Sequence, residues 1–145
     1  MRESGEDYIE TIFMLKKRMG HVRSVDVAQE LKFSRPSVSR AIGILRDEGL
    51  LLMNIDGGLE LTAEGQRLAE EIYEKHTTLT RFLRAVTNVD AAVAESDACR
   101  IEHIISSQTF EGVKRFLSEH PELHEHLTDP SEYHSGEGRT EKKHG

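Results

Sequence analysis

The sequence has one cysteine, no tryptophan and only three prolines among its 145 residues. A single cysteine cannot form an intrachain disulfide, so a reducing cytoplasm is the expected location. No apolar run is long enough for a transmembrane helix, in agreement with the mean hydropathy of −0.52. Residues 1–7 are polar and lack the apolar segment of a signal peptide. These absences argue against membrane-spanning proteins and disulfide-stabilised secreted domains.

The charge is unevenly distributed. The net charge of −7 argues against a nucleic-acid partner if only the total is considered. Between residues 16 and 46, however, eight basic side chains accompany only two acidic ones, a local net charge of +6. Such a basic segment can contact phosphates, although a solvated helical face can have the same composition. Charge alone therefore leaves both interpretations open.

A helix-turn-helix is predicted before residue 49. After a first amphipathic helix, a second begins with Ser24 as its cap, and a third begins at Ser34 with Pro36 in its first turn and ends at Gly49. Two short helices joined by a tight turn form this motif. Short apolar runs on either side of a Gly-Gly pair at 57–58 predict a hairpin, which makes the unit a winged helix.

The start of the third predicted helix carries groups suited to DNA. In a helix-turn-helix this start enters the major groove, where hydroxyl and guanidinium groups reach phosphates and base edges. The motif also occurs outside DNA binding, but the local positive charge favours DNA here. The predicted DNA-contacting residues are Ser34, Arg35, Pro36, Ser37, Ser39 and Arg40. Because the wing tip carries Asp56 and no lysine or arginine, we expect it to contribute little to phosphate binding.

The second half of the chain is predicted to be helical. A long helix capped by Thr62 runs to residues 87–88, a second helix is capped by Asp90, and a third covers residues 109–119. This helical module has too few apolar residues to be stable alone, so a dimer interface is expected to bury some of them.

One segment of that module carries three potential metal ligands. Cys99 is followed by Glu102 and His103 at spacings of three and four residues. If residues 97–106 are helical, the three side chains share one face. Thiolate, carboxylate and imidazole groups all bind first-row transition metals. We therefore predict a metal site on this face.

Three other residues are weaker candidates by themselves. Asp7 and Glu10 lie one turn apart on the first predicted helix, and His76 lies midway along the long one. Carboxylates near a helix N-terminus are usually just solvated, where the helix dipole favours them. A lone histidine is more often structural or exposed than a ligand. The residues themselves do not decide between these interpretations.

Together these features resemble the metal-dependent repressors of the diphtheria toxin repressor family. The resemblance extends from about residue 7 to about residue 117, and its most specific segments are Glu6–Glu10, Ser34–Ser39 and Asp97–His103. The chain ends without the SH3-like domain of the longer members. The resemblance is therefore nearest to the short, manganese-type regulators.

This resemblance implies a homodimeric, non-enzymatic regulator that binds a pseudo-palindromic DNA operator when loaded with Mn(II) or Fe(II), or with Co(II) or Zn(II), and represses metal-uptake genes. Carried over by position, the metal ligands are Asp7, Glu10, His76, Cys99, Glu102 and His103. The fold class is mainly α, with a winged helix-turn-helix at residues 1–72 and a helical metal-binding and dimerisation domain at 73–127. Residues 128–145 are polar and are predicted to be a disordered tail.

The match combines two branches of that family. The first-helix carboxylates and His76 follow the manganese-responsive branch, whereas Cys99 follows the iron-responsive branch, where the manganese branch usually has glutamate. Thr80 and Glu95 stand where the iron branch usually has the glutamate and histidine of a second, anion-linked site. A thiolate would shift preference toward softer or later metals, whereas a backbone carbonyl at position 99 would leave the site rich in oxygen.

Two other classes of function remain open at this point. A helix-turn-helix regulator could sense redox state through Cys99 without any metal, which requires a reactive, accessible thiol. A metalloenzyme could use the same ligands if one coordination position stays open for water. The sequence has no nucleophile motif or Gly-rich phosphate loop, and an enzyme would leave the helix-turn-helix unexplained.

Overall fold

The computed structural model describes residues 3–124 and divides the chain into two units, Met1–Glu74 and Lys75–Gly145. The elements are α1 (Glu3–Met19), α2 (Ser24–Leu31), α3 (Arg35–Asp47), β1 (Leu51–Met53), β2 (Leu59–Leu61), α4 (Ala63–Thr87), α5 (Ala91–Ile101), α6 (Ser107–Glu119) and a 3-10 turn (Pro121–His124). None of these helices is long and apolar enough to cross a membrane. The predicted tail, residues 128–145, lies outside the described residues.

The helix-turn-helix of the first unit is formed by α2 and α3. The chain leaves α2 at Lys32, whose left-handed backbone (φ 56°) reverses its direction. Ser34 is the N-cap of α3, and its hydroxyl accepts a hydrogen bond from the Ser37 N–H at 3.3 Å. Pro36 follows within the first turn, where a missing N–H costs least. The predicted start of α3 is therefore confirmed.

The predicted cap of α2 is wrong by one residue. Ser24 is the first helical residue, and the N-cap is Arg23. The Arg23 N–H donates to the Asp26 carboxylate at 2.9 Å, which is half of the reciprocal pattern known as a capping box. The acidic side chain in the first turn thus performs the capping that the serine hydroxyl was expected to perform.

One face of α3 is buried in the core of the first unit. Val38, Ile42 and Leu45 of α3 are at most 2% exposed and pack with α1 residues that include Ile9 and Ile12. Burying such aliphatic side chains stabilises the unit by about 1.5–3 kcal/mol each. The opposite face of α3, with its serines and arginines, remains exposed.

The wing is a short antiparallel hairpin in which Leu51 pairs with Leu61. Its turn contains Gly57 at a φ of 86°, a conformation that glycine adopts without strain. The Gly58 N–H donates to Asp56 Oδ1 at 2.8 Å, and this hydrogen bond holds the pKa of the Asp56 carboxyl below its ordinary value. Asp56 thus stabilises the turn of the wing. The weak contribution of the wing tip to phosphate binding stays a prediction.

The second unit has a separate core between α4, α5 and α6. Its buried residues are Leu79, Ala98, Phe110, Val113 and Leu117. Asp90 occupies the N-cap position of α5, but its carboxylate makes no capping hydrogen bond. The sixth helix begins at Ser107, two residues before the predicted start, because the Ser106 hydroxyl accepts from the Thr109 N–H at 3.1 Å.

Replacing Gly65 with alanine will destabilise the first unit. A Cβ at this position would clash with the carbonyl oxygen of Leu50, which is backbone and has little room to move. We expect Gly65→Ala to lower the free energy of unfolding by about 1–3 kcal/mol, the usual cost of overpacking. The matched control is Gly43→Ala inside α3, where a Cβ meets nothing within 4 Å and alanine should stabilise the helix. Urea denaturation measures both, and equal stabilities would contradict the prediction.

Candidate metal centre

The helix that carries the three predicted ligands ends earlier than expected. The fifth helix stops at Ile101, so the expectation of a helix through residue 106 is wrong. Glu102 keeps a helical backbone (φ −57°, ψ −28°), and its N–H still donates to the Ala98 carbonyl at 2.9 Å. His103 lies in the turn that follows. Even so, a His103 ring nitrogen and Cys99 Sγ lie within 4.8 Å of each other.

Glu102 is buried between two imidazoles within the second unit. Its Oε2 lies 2.9 Å from His76 Nδ1, and its Oε1 lies 3.4 Å from His103 Nε2. The three side chains are 1%, 5% and 2% exposed, respectively. Removing a carboxylate from water to this extent is costly unless a positive charge compensates it. A bound cation beside the carboxylate would offset that cost.

A divalent cation fits this set of donors. Glu102 Oε1 is buried and accepts no hydrogen bond of good geometry from the described residues. A buried polar atom of this kind in a folded protein calls for an explanation, of which a bound ion is one. Carboxylate oxygen, imidazole nitrogen and thiolate sulfur together suit Mn(II), Fe(II), Co(II) or Zn(II) better than Mg(II) or Ca(II). The residues present thus fit a first-row transition metal.

The histidine of α4 is positioned by its own helix. His76 is 4% exposed, and its backbone carbonyl accepts a hydrogen bond from the buried Thr80 hydroxyl at 2.7 Å. The Thr80 hydroxyl is therefore used one turn away and does not compete for the ring. The interpretation of His76 as an exposed surface histidine is wrong.

The position of Glu95 next to His76 was not predicted from the sequence. Glu95 Oε1 lies 3.7 Å from His76 Nε2, the ring nitrogen that does not face Glu102. Its spacing from Cys99 and Glu102 was a usable signal, because residues four and seven positions apart on a helix share a face. The resemblance marked position 95 only as a departure from the iron branch, so Glu95 was not among the predicted site residues.

The remaining two predicted ligands belong to the first unit. Glu10 of α1 is 8% exposed, so it is not the solvated surface acid that its position near a helix start suggested. Asp7, one turn earlier, is half-buried. Their membership in the metal site stays a prediction. Cys99, in contrast to the buried His76 and Glu102, is exposed.

The predicted DNA-contacting residues all lie on the exposed start of α3. The Ser34 hydroxyl caps the helix and also donates to Ser37 Oγ at 2.8 Å, so these two hydroxyls are partly used within the protein. Arg35 and Ser39 line a surface cavity of about 220 Å³ together with the start of α2. This cavity lies between the starts of the two motif helices, on the exposed side of α3.

Part of the basic segment is engaged within the first unit. Lys16 Nζ lies 2.7 Å from Glu60, and Arg18 lies 3.0 Å from Glu30. Lys17 Nζ lies 4.5 Å from the ring centroids of both Phe13 and Tyr73. The local charge of +6 therefore overstates the charge offered to DNA, which is concentrated near α3.

Comparison with known proteins identifies both units. Residues 1–59 match the family model described as iron dependent repressor, N-terminal DNA binding domain, and residues 62–130 match iron dependent repressor, metal binding and dimerisation domain. The chain is 37% identical over 119 residues to the transcriptional regulator MntR of Escherichia coli O6:H1, covering 82% of this chain and 76% of that protein. The chain belongs to the iron-dependent repressor family.

Two other relatives are longer than this chain. The chain is 30% identical over 106 residues to the diphtheria toxin repressor of Corynebacterium glutamicum, covering 73% of this chain and 46% of that one. The solved structure of the manganese regulator SloR superposes with a TM-score of 0.71 at 31% identity, covering 81% of this chain and 55% of SloR. The chain thus spans about half the length of these two relatives.

These matches confirm several predictions at the level of the family. The family resemblance, the mainly helical fold and the metal-dependent, DNA-binding repressor function are confirmed. So are the divalent-metal cofactor and the partners, because the matched domains are described as DNA-binding, metal-binding and dimerising. The family consists of transcriptional repressors rather than enzymes.

Replacing Glu102 with glutamine will weaken metal binding to the second unit. The variant keeps the size of the side chain but removes the anionic oxygens that face His76 and His103. We expect the loss in metal affinity to exceed the roughly 10–100-fold typical of losing an outer-shell partner. Competition for Mn(II), followed by EPR of the free ion, measures this loss. Glu111→Gln, at an exposed acid on α6 (side chain 66% exposed), is the control, and equal affinities in the two variants would contradict the prediction.

Proposed function

We propose that this protein is a homodimeric repressor that binds a pseudo-palindromic operator when a divalent metal occupies one six-residue ligand set, and that its targets are metal-uptake genes. The proposed ligands are Asp7, Glu10, His76, Cys99, Glu102 and His103. The observation that carries the proposal is the buried Glu102 carboxylate between His76 and His103.

The proposed mechanism starts from repulsion between carboxylates. Asp7, Glu10 and Glu102 all carry carboxyl groups, and gathering like charges at one site is unfavourable without a cation. When bound, a divalent ion would supply the compensating positive charge. In this proposal His76 and His103 hold the ion beside Glu102, and the two α1 carboxylates complete the ligand set.

The core of the first unit transmits this linkage to DNA. The two carboxylates lie on α1, whose Ile9 and Ile12 belong to the same core as Val38 and Ile42 of α3. Densely packed cores move as units rather than deforming continuously. Fixing α1 therefore fixes α3, and in a dimer it sets the separation of the two α3 helices for successive major grooves. Useful regulation requires a coupling free energy of roughly 1–3 kcal/mol.

The exposed start of α3 supplies the DNA contacts in this proposal. Arg35 and Arg40 are exposed and can contact phosphates or guanine edges, while Ser37 and Ser39 can donate to phosphate oxygens. The Ser34 hydroxyl acts mainly as the cap of α3, with Pro36 fixing the first turn.

Mn(II) or Fe(II) is the proposed physiological metal. SloR is titled a manganese regulator, and the matched family model is named for iron. Cys99 modifies this preference. Since its Sγ lies within 4.8 Å of a His103 ring nitrogen, we propose that it binds through sulfur, which raises the relative affinity for Fe(II), Co(II) and Zn(II).

The proposal also includes the domain bounds, the location of the protein and its lack of catalysis. The functional domains are residues 1–72 for DNA binding and 73–127 for metal binding and dimerisation, with a tail from 128 to 145. The protein acts in the cytoplasm, where its DNA target lies, and without catalytic turnover.

One observation favours a second candidate, a redox-sensing role. The Cys99 thiol is exposed and therefore accessible to oxidants. In that case DNA binding would be insensitive to metals and would be lost on oxidation. The metal-dependent proposal predicts the opposite dependence in reducing buffer.

Removing metal will weaken specific DNA binding. Operators are first selected from a random duplex pool with Mn(II)-loaded protein, and affinity is then measured by fluorescence anisotropy in Mn(II) or in excess chelator. A coupling of 1–3 kcal/mol corresponds to a weakening of about 5–150-fold in chelator. A control duplex with scrambled half-sites reports the non-specific component. Equal operator affinity in both buffers would rule out the proposed mechanism.

Changing Cys99 to glutamate will shift metal selectivity toward Mn(II). If the thiolate binds, Cys99→Glu lowers the affinity for Co(II) and Zn(II) relative to Mn(II), because an oxygen donor replaces sulfur. In the unsubstituted protein, Co(II) should produce near-ultraviolet thiolate charge-transfer absorption, and Cys99→Ala should abolish it. Unchanged selectivity in Cys99→Glu, with no such absorption in the unsubstituted protein, would leave only the backbone carbonyl as a ligand at this position.

A further inference from the structure

Glu95 stands on the far side of the His76 ring from Glu102. The two ring nitrogens of His76 lie near different carboxylates, Nδ1 at 2.9 Å from Glu102 Oε2 and Nε2 at 3.7 Å from Glu95 Oε1. The His76 side chain is 5% exposed, while that of Glu95 is 22% exposed. The imidazole therefore lies between a fully buried carboxylate and one that reaches the protein surface.

The geometry assigns different tasks to the two nitrogens. Nδ1 faces Oε2 of the proposed ligand Glu102. An ion shared by the two residues would therefore be bound by His76 through Nδ1. A neutral imidazole that gives its Nδ1 lone pair to a metal must carry its proton on Nε2. Glu95 Oε1 is the carboxylate oxygen that lies 3.7 Å from this nitrogen. The separation of 3.7 Å is an ion-pair distance that a small side-chain rotation or one bridging water turns into a hydrogen bond.

We propose that Glu95 is a positioning residue for the metal site, which accepts the Nε2–H of His76 and holds the ring with Nδ1 directed at the ion. This inference rests on the proposed metal-dependent function. Carboxylates that accept the second N–H of a ligating histidine fix its orientation and tautomer, and their loss typically weakens metal binding 10–100-fold. Glu95 is thus expected to act on metal affinity without binding the metal.

Two other polar groups of the second unit near His76 make different contacts. The Thr80 hydroxyl lies one turn along α4 but donates to the His76 carbonyl at 2.7 Å. Glu102 lies at the opposite nitrogen and is itself a proposed ligand. Glu95 is carried by α5, between Ala94 and Ala98, which are both fully buried within a turn of it. Its helix is therefore anchored, and only the side chain has freedom to adjust.

The test compares Glu95→Gln with Glu111→Gln, which removes one exposed carboxylate elsewhere in the same unit. Mn(II) and Zn(II) affinities are measured directly by competition, without DNA, and thermal melting of the apo proteins is followed by circular dichroism. We expect Glu95→Gln to weaken both metals at least tenfold, with melting temperature and number of bound ions unchanged. Glu111→Gln should match the unsubstituted protein in every respect.

A second readout reports the proton itself. In the Zn(II)-loaded protein, the Nε2–H of His76 should give a downfield, exchange-protected proton resonance in NMR spectra. In Glu95→Gln this resonance should move upfield or be lost to exchange with water, because a neutral amide oxygen is a weaker acceptor than a carboxylate.

The possible failures are distinguishable. If the unsubstituted protein binds no divalent metal, the proposed function fails and this inference fails with it. If it binds metal and Glu95→Gln has the same affinity and the same His76 resonance, only the role of Glu95 is overturned. A lower number of bound ions in Glu95→Gln would make Glu95 a ligand, and a lower melting temperature with unchanged affinity would make it structural; either result overturns the positioning role.

Discussion

The second unit is organised around a carboxylate that has been removed from water. Glu102 is 3% exposed and lies between the imidazoles of His76 and His103. A carboxylate in such a position contributes to stability only if a positive charge accompanies it, because the desolvation cost of an unpaired ion is several kcal/mol. Two histidines can supply that charge as protons, and a divalent ion can replace the protons. Under the proposed function, a divalent ion bound by these side chains would supply that charge.

Two of the proposed ligands lie where α5 ends. Glu102 follows the last residue of α5, and His103 lies in the turn beyond it. A continuous helix through residue 106 would keep His103 on the same narrow stripe as Cys99. Ending the helix at Ile101 lets His103 turn toward the Glu102 carboxylate while Glu102 still follows the helical direction. The termination of the helix is thus part of the construction of the site.

The sequence predicted elements better than it predicted their ends. Periodicity and turn residues were sufficient for the helix-turn-helix, the wing and the long fourth helix, since each depends on local patterns. Capping depends on competition between neighbouring side chains, and there the outcome was mixed. The Ser34 hydroxyl caps α3, but at α2 the Asp26 carboxylate takes the role expected of Ser24. A carboxylate is the stronger acceptor for a backbone N–H, which accounts for that difference.

The sequence predicted which side chains are candidate metal ligands, but not how deeply they are buried. Spacing selected Cys99, Glu102 and His103 as candidates, because the side chains that bind transition metals are few in kind. Their role as ligands stays a prediction. Burial could not be derived from spacing: Glu10 and His76 had been weighed as solvated or surface groups and are 8% and 4% exposed. Burial follows from tertiary packing, which a local pattern does not contain.

The contrast between Cys99 and its neighbours bears on metal choice. His76 and Glu102 are buried and fixed by contacts on both sides, so they impose a geometry on any ion. Cys99 is exposed on the last turns of α5 and has more freedom to approach an ion or to withdraw from it. A rigid set of nitrogen and oxygen donors binds most divalent first-row metals in the usual order of affinity, and selectivity must then come from the ligand that differs in softness. In the proposed site Cys99 is the ligand that differs in softness, so its participation would decide how far the preference moves from Mn(II) toward the later metals.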